Sequence, residues 1–489
     1  MSSANARSAL AWAGGVQVIR DVAQFGAMLV LVRLLSPEQY GAMALSQAIL
    51  GIVTLIAAGT FVGHALQVRD PSTIDWQSHF TAATVWSAAI GLIVLSAAEF
   101  LAAPVWGADV GQALALLSLV LFIGAPAEVR NAMLNANHNW ARVRLLSLLG
   151  TFLALGVGIG LALAGFGVAA LAVQPALFVL PAAIDLFWSG FRPTWQFDRK
   201  YYRDVISFGL NRFTGGALGA ARGFIEQALM AATFSLAVNG VYGRSLGLAN
   251  LLVGRLGMIS VGALYPILTR AERGSSQFRR KAALVLQGIA WIAIPAATYL
   301  AIEADPIVAL LYGDGWTSVA QLLPAAAAVG AAGALHFTVS RVLLANESRN
   351  ASLAIDVSSG IVSIALAFWL LPQGPLVYLW ALAIVGLIGF LFGAFFLIRD
   401  QAVGLAGLAL ATIPPTLATS LAAISIFLIK SKFQGLWPIF DLIVTAVCFS
   451  SVFSCFLLAF FRRSLFDLLA ILPGGPRLIR VISLGQPLI

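Results

Sequence analysis

The sequence predicts an all-α polytopic membrane protein of about 14 transmembrane helices, arranged as two parallel-repeat six-helix lobes plus two additional C-terminal helices. Three observations carry that prediction. Hydrophobic residues fill 60% of the 489 positions and charged ones 10%, with a mean hydropathy of +0.93, which is more apolar surface than a soluble core can hide. Apolar stretches of bilayer length recur along the whole chain, separated by short polar or Gly/Pro breaks. Lys and Arg gather in alternate breaks, as cytoplasmic loops require.

Taken in order, the apolar stretches centre near residues 22, 52, 90, 121, 153, 178, 219, 253, 292, 330, 361, 386, 417 and 448. The first follows Arg7 and is interrupted by Gln17, Arg20, Asp21 and Gln24, so it reads as a retained helix rather than a cleaved signal with a clean apolar core. Pro37 and Gly41 mark a tight turn into the second. Short loops make successive helices antiparallel and leave no room for a soluble domain. The segment Phe191 to Tyr202 links the sixth helix to the seventh, which runs from Arg203 to Phe234. Pro104, Pro126, Pro266, Pro295 and the Pro414-Pro415 pair read as kinks or helix ends. The last two helices run from about Gly404 to Phe461 and carry Cys448 and Cys455, whose spacing suits helix packing rather than a metal or disulfide framework. A short basic tail follows.

Charge tests the helix count. With a cytoplasmic N-terminus, 21 of the 29 Lys and Arg fall in inner segments and only Arg33, Lys430 and Lys432 in outer loops. Arg20, Arg212, Arg222, Arg244 and Arg255 lie within spans. This bias places both termini in the cytoplasm. The formal charge of +9 therefore belongs to loops facing an anionic leaflet, not to a nucleic-acid surface.

An ordered series of matches shows an internal repeat. Arg20 and Arg222, Gln24 and Glu226, and Tyr40-Gly41 and Tyr242-Gly243 are each 202 apart. Glu99 and Trp106-Gly107 match Asp305 and Tyr312-Gly313 at 206, and Ala136-Asn137 and Gly165 match Ala345-Asn346 and Gly374 at 209. Residues 1–195 and 196–400 are then duplicated bundles in the same orientation, and 401–489 holds the additional helices and tail.

Arg212, Gly215, Gly219, Arg222 and Glu226 form one stripe of the seventh helix, with Asn211 beside it. A charge at bilayer centre costs about 2.5–3.5 kcal/mol on the mildest scale, so such groups ordinarily face a hydrated cavity. Two readings stand for Arg222 and Glu226: cavity groups, or an i, i+4 pair that stabilises the bundle. Gln17, Arg20 and Gln24 share a face of the first helix. Arg244 and Arg255 share a face of the eighth, where Arg244 could equally snorkel to the outer loop and Arg255 to the inner interface. Counting Asp21 and Glu226 against five arginines leaves about +3 in the membrane interior. Gly215, Gly219 and Gly223 have the spacing of close helix packing, and His336, Asp356 and Asp441 are isolated polar residues of the kind a neighbour satisfies. No nucleophile, nucleotide-binding or metal-ligand spacing is present, so no enzyme activity and no cofactor is expected.

The Arg33-Leu34-Leu35-Ser36-Pro37-Glu38-Gln39-Tyr40-Gly41 stretch, with twelve helices in two parallel lobes and an additional pair, resembles the polysaccharide transporter branch of the multidrug/oligosaccharidyl-lipid/polysaccharide (MOP) exporter superfamily, and within it Wzx-type flippases. The resemblance implies an undecaprenyl-diphosphate-linked oligosaccharide, an O-antigen or exopolysaccharide unit, moved across a bacterial inner membrane by alternating access. It implies a monomer working beside a polymerase and glycosyltransferases. Guanidinium groups suit a diphosphate, which assigns Arg20, Arg212, Arg222, Arg255 and Arg244 to the head group. Gln17, Gln24, Asn211 and Asn250 would line the sugar path, and Glu226 or Asp21 would couple an ion. A MATE-like cation antiporter and a non-transporting scaffold of polysaccharide assembly are the alternatives.

Overall fold

The computed structural model describes residues 3–57, 74–254, 268, 271–430 and 438–471. Fourteen helices among them follow the expected order, with the stretch centred near 253 falling past the Ala249 end of α8. In the first half these are α1 Ser3–Leu34, α2 Pro37–Ala57, α3 Trp76–Trp106, α4 Ala108–Ala136, α5 Trp140–Leu163, α6 Ala169–Trp188, α7 Arg199–Thr233 and α8 Leu236–Ala249. The second half holds α9 Ser276–Ile302, α10 Thr317–Ala345, α11 Arg349–Leu370, α12 Pro375–Arg399, α13 Leu405–Lys430 and α14 Pro438–Phe460. Eleven helices of the described residues are long and apolar enough to cross a membrane by length and composition. The described parts of α2, α7 and α8 are not among them; α7 carries Arg199, Arg203, Arg212, Arg222 and Glu226. The protein is an all-α, multi-pass membrane protein.

Interior prolines do not stop these helices: Pro126 lies inside α4, Pro295 inside α9 and Pro414-Pro415 inside α13. Pro266 lies outside the described residues. The short basic tail expected after the last span begins with an amphipathic helix, Arg462–Ile471, α15. Asp467 on it accepts from Arg280 of α9 at 2.8 Å.

Contacts divide the chain into two compact units, Met1–Gly243 and Arg244–Ile489. This boundary lies beyond the 195/196 division expected from the repeat, because α7 packs on α2. Inside the first unit α3 packs on α4, α4 on α2 and α6, and α5 on α6 and α1. Inside the second, α9 packs on α10, α10 on α12 and on the π-turn that ends α8, and α11 on α12. Apart from the α5–α1 pair, the same pairing pattern occurs twice among the described residues. α13 joins α9 and carries α14, outside that pattern.

The duplicated path is visible in the backbone. Ten described residues have positive φ, and eight of them form four pairs: Gly107 with Gly313, His138 with Glu347, Gly165 with Gly374, and Gly190 with Gln401. The first three pairs sit at the offsets of 206 and 209 read from the sequence. At the start of α2 the register differs. Ser36 caps α2, donating its N–H to Gln39 Oε1 at 3.0 Å, and Ser235 Oγ accepts from Val238 N–H at 3.2 Å to cap α8. A Cβ on Gly41 would overlap the Leu236 carbonyl, and one on Gly240 would overlap the Pro37 carbonyl. These reciprocal contacts pair Pro37 with Leu236 and Gly41 with Gly240, an offset of 199. The Tyr-Gly identity at 202 is thus out of register with the geometry by about one helical turn.

Candidate substrate-binding groups in the spanning helices

On α1, Gln17 Nε2 donates to Asp21 Oδ1 at 3.1 Å. Arg20 is half-buried; its Cζ lies 5.4 Å from the centre of the Phe178 ring of α6, and its Nε is buried without a hydrogen-bond partner. The guanidinium is thus held by a cation–π contact alone and keeps its donors for another acceptor. Gln24 is half-buried on the same face.

On α7, Arg222 Nε donates to Glu226 Oε1 at 2.5 Å. Glu226 is buried, Arg222 keeps 36% of its side chain exposed, and Tyr242 OH donates to Glu226 Oε2 at 3.5 Å. The i, i+4 pair forms. Arg20 is thus seen against Phe178 and Arg222 against Glu226. The packing expected of the glycines is corrected at two of them, since a Cβ on Gly219 or Gly223 would meet nothing within 4 Å. That side of α7 is open rather than pressed against a neighbour. Asn211 and Arg212 lie on the described helix, but their side chains lie outside the described set, as does Arg255 altogether.

In the second unit, Arg244 on α8 is half-buried beside Tyr312, a fully buried residue between α9 and α10. Burial pushes the Tyr312 phenol above its ordinary value, and the Arg244 charge pulls it partly back. Asn250 opens the π-turn after α8 and lines a cavity of about 300 Å³ with Leu246, Gly254, Gly330, Gly333 and Phe337. A larger apolar cavity of about 540 Å³ lies among α9, α10, α12 and α13, lined by Ile294, Pro324, Leu335, Trp380 and Leu387 among others.

Several charged groups escape a reading by spans and loops. Asp185 of α6, 3% exposed, accepts from Arg130 Nε of α4 at 2.7 Å and from Arg142 Nε of α5 at 3.2 Å. Glu303, fully buried, accepts from Lys430 Nζ of α13 at 2.7 Å. His336 and Asp356, isolated in sequence, meet at 3.2 Å, and Ser340 Oγ donates to the same carboxylate at 2.9 Å. Glu128 lies inside α4. The interior balance of about +3 is therefore corrected: Glu128 and Asp185 lie in helices, Asp356 belongs in the count although it was read as an isolated polar residue, and Arg130 and Arg142 add cations. The mostly apolar run from Ala113 to Ala127 stops one residue before Glu128, so hydropathy alone does not carry the helix across it. No group of three or more metal-ligating side chains occurs among the described residues.

Comparison with known proteins places this arrangement. The family model described as a polysaccharide biosynthesis protein matches residues 30–321. The teichuronic acid biosynthesis protein TuaB of Bacillus subtilis (strain 168) is 23% identical over 219 residues, 43% of this chain and 45% of that protein. The succinoglycan biosynthesis transport protein ExoT of Rhizobium meliloti (strain 1021) is 25% identical over 317 residues, 62% of each. The chain thus spans about half to three fifths of the length of these relatives. Among solved structures, the lipid II flippase MurJ in an inward closed conformation matches 92% of this chain and 98% of its own, with a TM-score of 0.76 at 13% identity. An inward-facing multidrug resistance MATE family transporter of the MOP superfamily matches 78% of this chain and 95% of its own, at TM-score 0.58 and 17% identity. These two likenesses are of fold. With the family match spanning more than half of its 489 residues, the chain belongs to the polysaccharide biosynthesis protein family.

Proposed function

We propose that this protein is a flippase for undecaprenyl-diphosphate-linked oligosaccharide units, O-antigen or exopolysaccharide, moving them from the cytoplasmic to the periplasmic leaflet of a bacterial inner membrane by alternating access. The observation that carries the reading is Arg20: a guanidinium inside a spanning helix, with a buried Nε that has no protein acceptor. A cation there is costly unless an anion arrives to meet it, and a diphosphate offers oxygens in the geometry that guanidinium matches. The family match, the transport protein among its relatives and the flippase among its structural neighbours support a lipid-linked saccharide as the bearer of that anion.

In this reading Arg20 is the first phosphate ligand. Arg212, Arg222, Arg244 and Arg255 complete the basic lining, with Arg222 shared between Glu226 and the substrate. The sugar passes Gln17, Gln24, Asn211 and Asn250. A polymerase and glycosyltransferases act on the two sides of the step, and the flippase itself works as a monomer with both termini in the cytoplasm, the first lobe being 1–195 and the second 196–400.

The test is complementation. A strain lacking the gene should lose surface polysaccharide and accumulate its lipid-linked precursor. Wild-type protein should restore the polymer, and Arg20→Ala should not, at equal membrane abundance. Normal polymer with Arg20→Ala would remove the phosphate role, and normal polymer in the deletion strain would remove the function.

A further inference from the structure

The carboxyls inside the spanning helices are nearly all tied down. Asp21 accepts from Gln17, Asp185 from Arg130 and Arg142, Glu226 from Arg222, and Asp356 from His336 and Ser340. Glu99 and Asp109 are exposed, and Asp441 sits in the first turn of α14. Glu128 differs. It is half-buried in α4, eight residues from the Ala136 end, with no hydrogen bond or ion pair among the described residues.

Glu128 also shares a face with polar company. Gly124, Glu128, Asn131 and Asn135 fall at i, i+4, i+7 and i+11, one stripe of the helix. The other sides of α4 are apolar and packed: Ala125 and Val129 meet Phe80 and Leu186, and Ala127 and Leu134 meet Ala182 and Ala183. Asn135 Oδ1 is buried without a partner, so the stripe holds a second unsatisfied group between Glu128 and the helix end. The repeat supplies a separate indication. At the offset of 209, Gly124 and Glu128 correspond to Gly333 and Phe337 of α10, both of which line the cavity beside α8.

An ionised carboxylate with no partner in a low-dielectric interior is strongly disfavoured, so the group takes a proton instead. It gives the proton up only when water or a cation reaches it. We propose that Glu128 is the proton-binding carboxyl of the transport cycle, loaded from the Ala136 end of α4 along the Asn131 and Asn135 face. Loading forms one O–H bond on a carboxylate oxygen with a proton from water; unloading breaks it and returns the proton to water, with no other reactant. The titratable groups on the elements packed against α4 leave Glu128 to itself. Arg130 and Arg142 are both held by Asp185, His79 of α3 is hydrogen-bonded to Tyr201, Arg144 of α5 makes no hydrogen bond or ion pair with Glu128 among the described residues, and Glu38 of α2 lies in that helix's first turn. This inference rests on the transport reading for its purpose but not for its chemistry.

The experiment uses full-length protein in lipid membranes and infrared difference spectra across a pH titration in potassium buffer, with and without sodium, alongside complementation of the deletion strain. Wild type should show a protonated-carboxyl C=O band at neutral pH that Glu128→Gln lacks and Glu128→Asp keeps. Glu128→Gln should lower surface polysaccharide to the level of the deletion strain at unchanged membrane abundance, and Glu128→Asp should restore export. A wild-type spectrum without that band, or one unaltered by Glu128→Gln, overturns the proton site. A band that sodium removes at constant pH overturns it in favour of a metal cation. Wild-type export by Glu128→Gln overturns the coupling role. Should the deletion strain keep its polysaccharide, the flippase reading falls, while the infrared band still decides whether Glu128 carries a proton.

Discussion

Replacing Asp185 by Asn tests how the first unit is held. Asp185 is 3% exposed and is the common acceptor of Arg130, 16% exposed, and Arg142, 47% exposed. Asn keeps the shape but removes the charge, so Arg130 is left as a desolvated cation with a neutral partner. Breaking a buried pair by removing one member typically costs about 3–5 kcal/mol. Arg142 can turn to water and contributes little to the loss, so the low end applies, about 3 kcal/mol. For a unit of this size a kcal/mol lowers the midpoint by roughly 2–4 °C, which gives a fall of about 6–12 °C. The assay is thermal unfolding of purified protein in detergent, followed by intrinsic tryptophan fluorescence. Arg142→Ala should lower the midpoint less than Arg130→Ala does. A triple replacement of Asp185, Arg130 and Arg142 by apolar residues of similar volume should recover much of the loss, because no buried charge is then left alone. If Asp185→Asn melts with the wild type while Arg130→Ala does not, the shared-acceptor account is refuted.

Three further predictions follow from the same structure. Lys430→Met leaves Glu303 fully buried without its cation, so it should destabilise the second unit by about 3 kcal/mol or more; adding Glu303→Gln should restore most of it in the same melt. Asp75 caps α3 and is held below the ordinary carboxylate value chiefly by the Ser78 hydroxyl, then by the Ser78 and Gln77 amides, against a push upward from burial. A lowered folded-state value means that its stabilisation is present above the ordinary carboxylate range and is lost as pH falls through that range and below it. Asp75→Ala should therefore cost about 1 kcal/mol at neutral pH and nothing measurable in strong acid, as read from denaturation midpoints across pH. Gly41→Ala and Gly240→Ala each place a methyl group against a carbonyl, so each should reduce folded yield in size-exclusion profiles, whereas Gly219→Ala on the open side of α7 should not.

The helix centres were legible because bilayer length is a one-dimensional property: an apolar run and its breaks stand in the sequence itself. The pairing of Arg222 with Glu226 was legible for a similar reason, since i and i+4 meet on any helix. What stayed hidden was tertiary. Asp185 finds Arg130 and Arg142 across 55 and 43 residues, and both arginines looked like loop residues, although α4 runs on to Ala136 and α5 starts at Trp140. Glu128 follows the apolar run of α4 and precedes Arg130, so the local pattern does not single it out. The repeat was legible where turns fix the backbone, as at Trp106-Gly107 and Tyr312-Gly313, and misleading at Tyr40-Gly41, where like letters sit one turn away from like positions. The difference between lobes and compact units has the same origin, because which neighbour α7 prefers is decided by surfaces that no local pattern records.

The paired left-handed turns carry a consequence for how such a chain can change. His138 answers Glu347 and Gly190 answers Gln401, so the two copies have kept a bend of the chain while exchanging the residue that makes it. Ancestry here is written in where the main chain reverses, and side chains are the replaceable part. Any distant cousin should then be aligned first by its corners, with the residues between them free to acquire a new cargo.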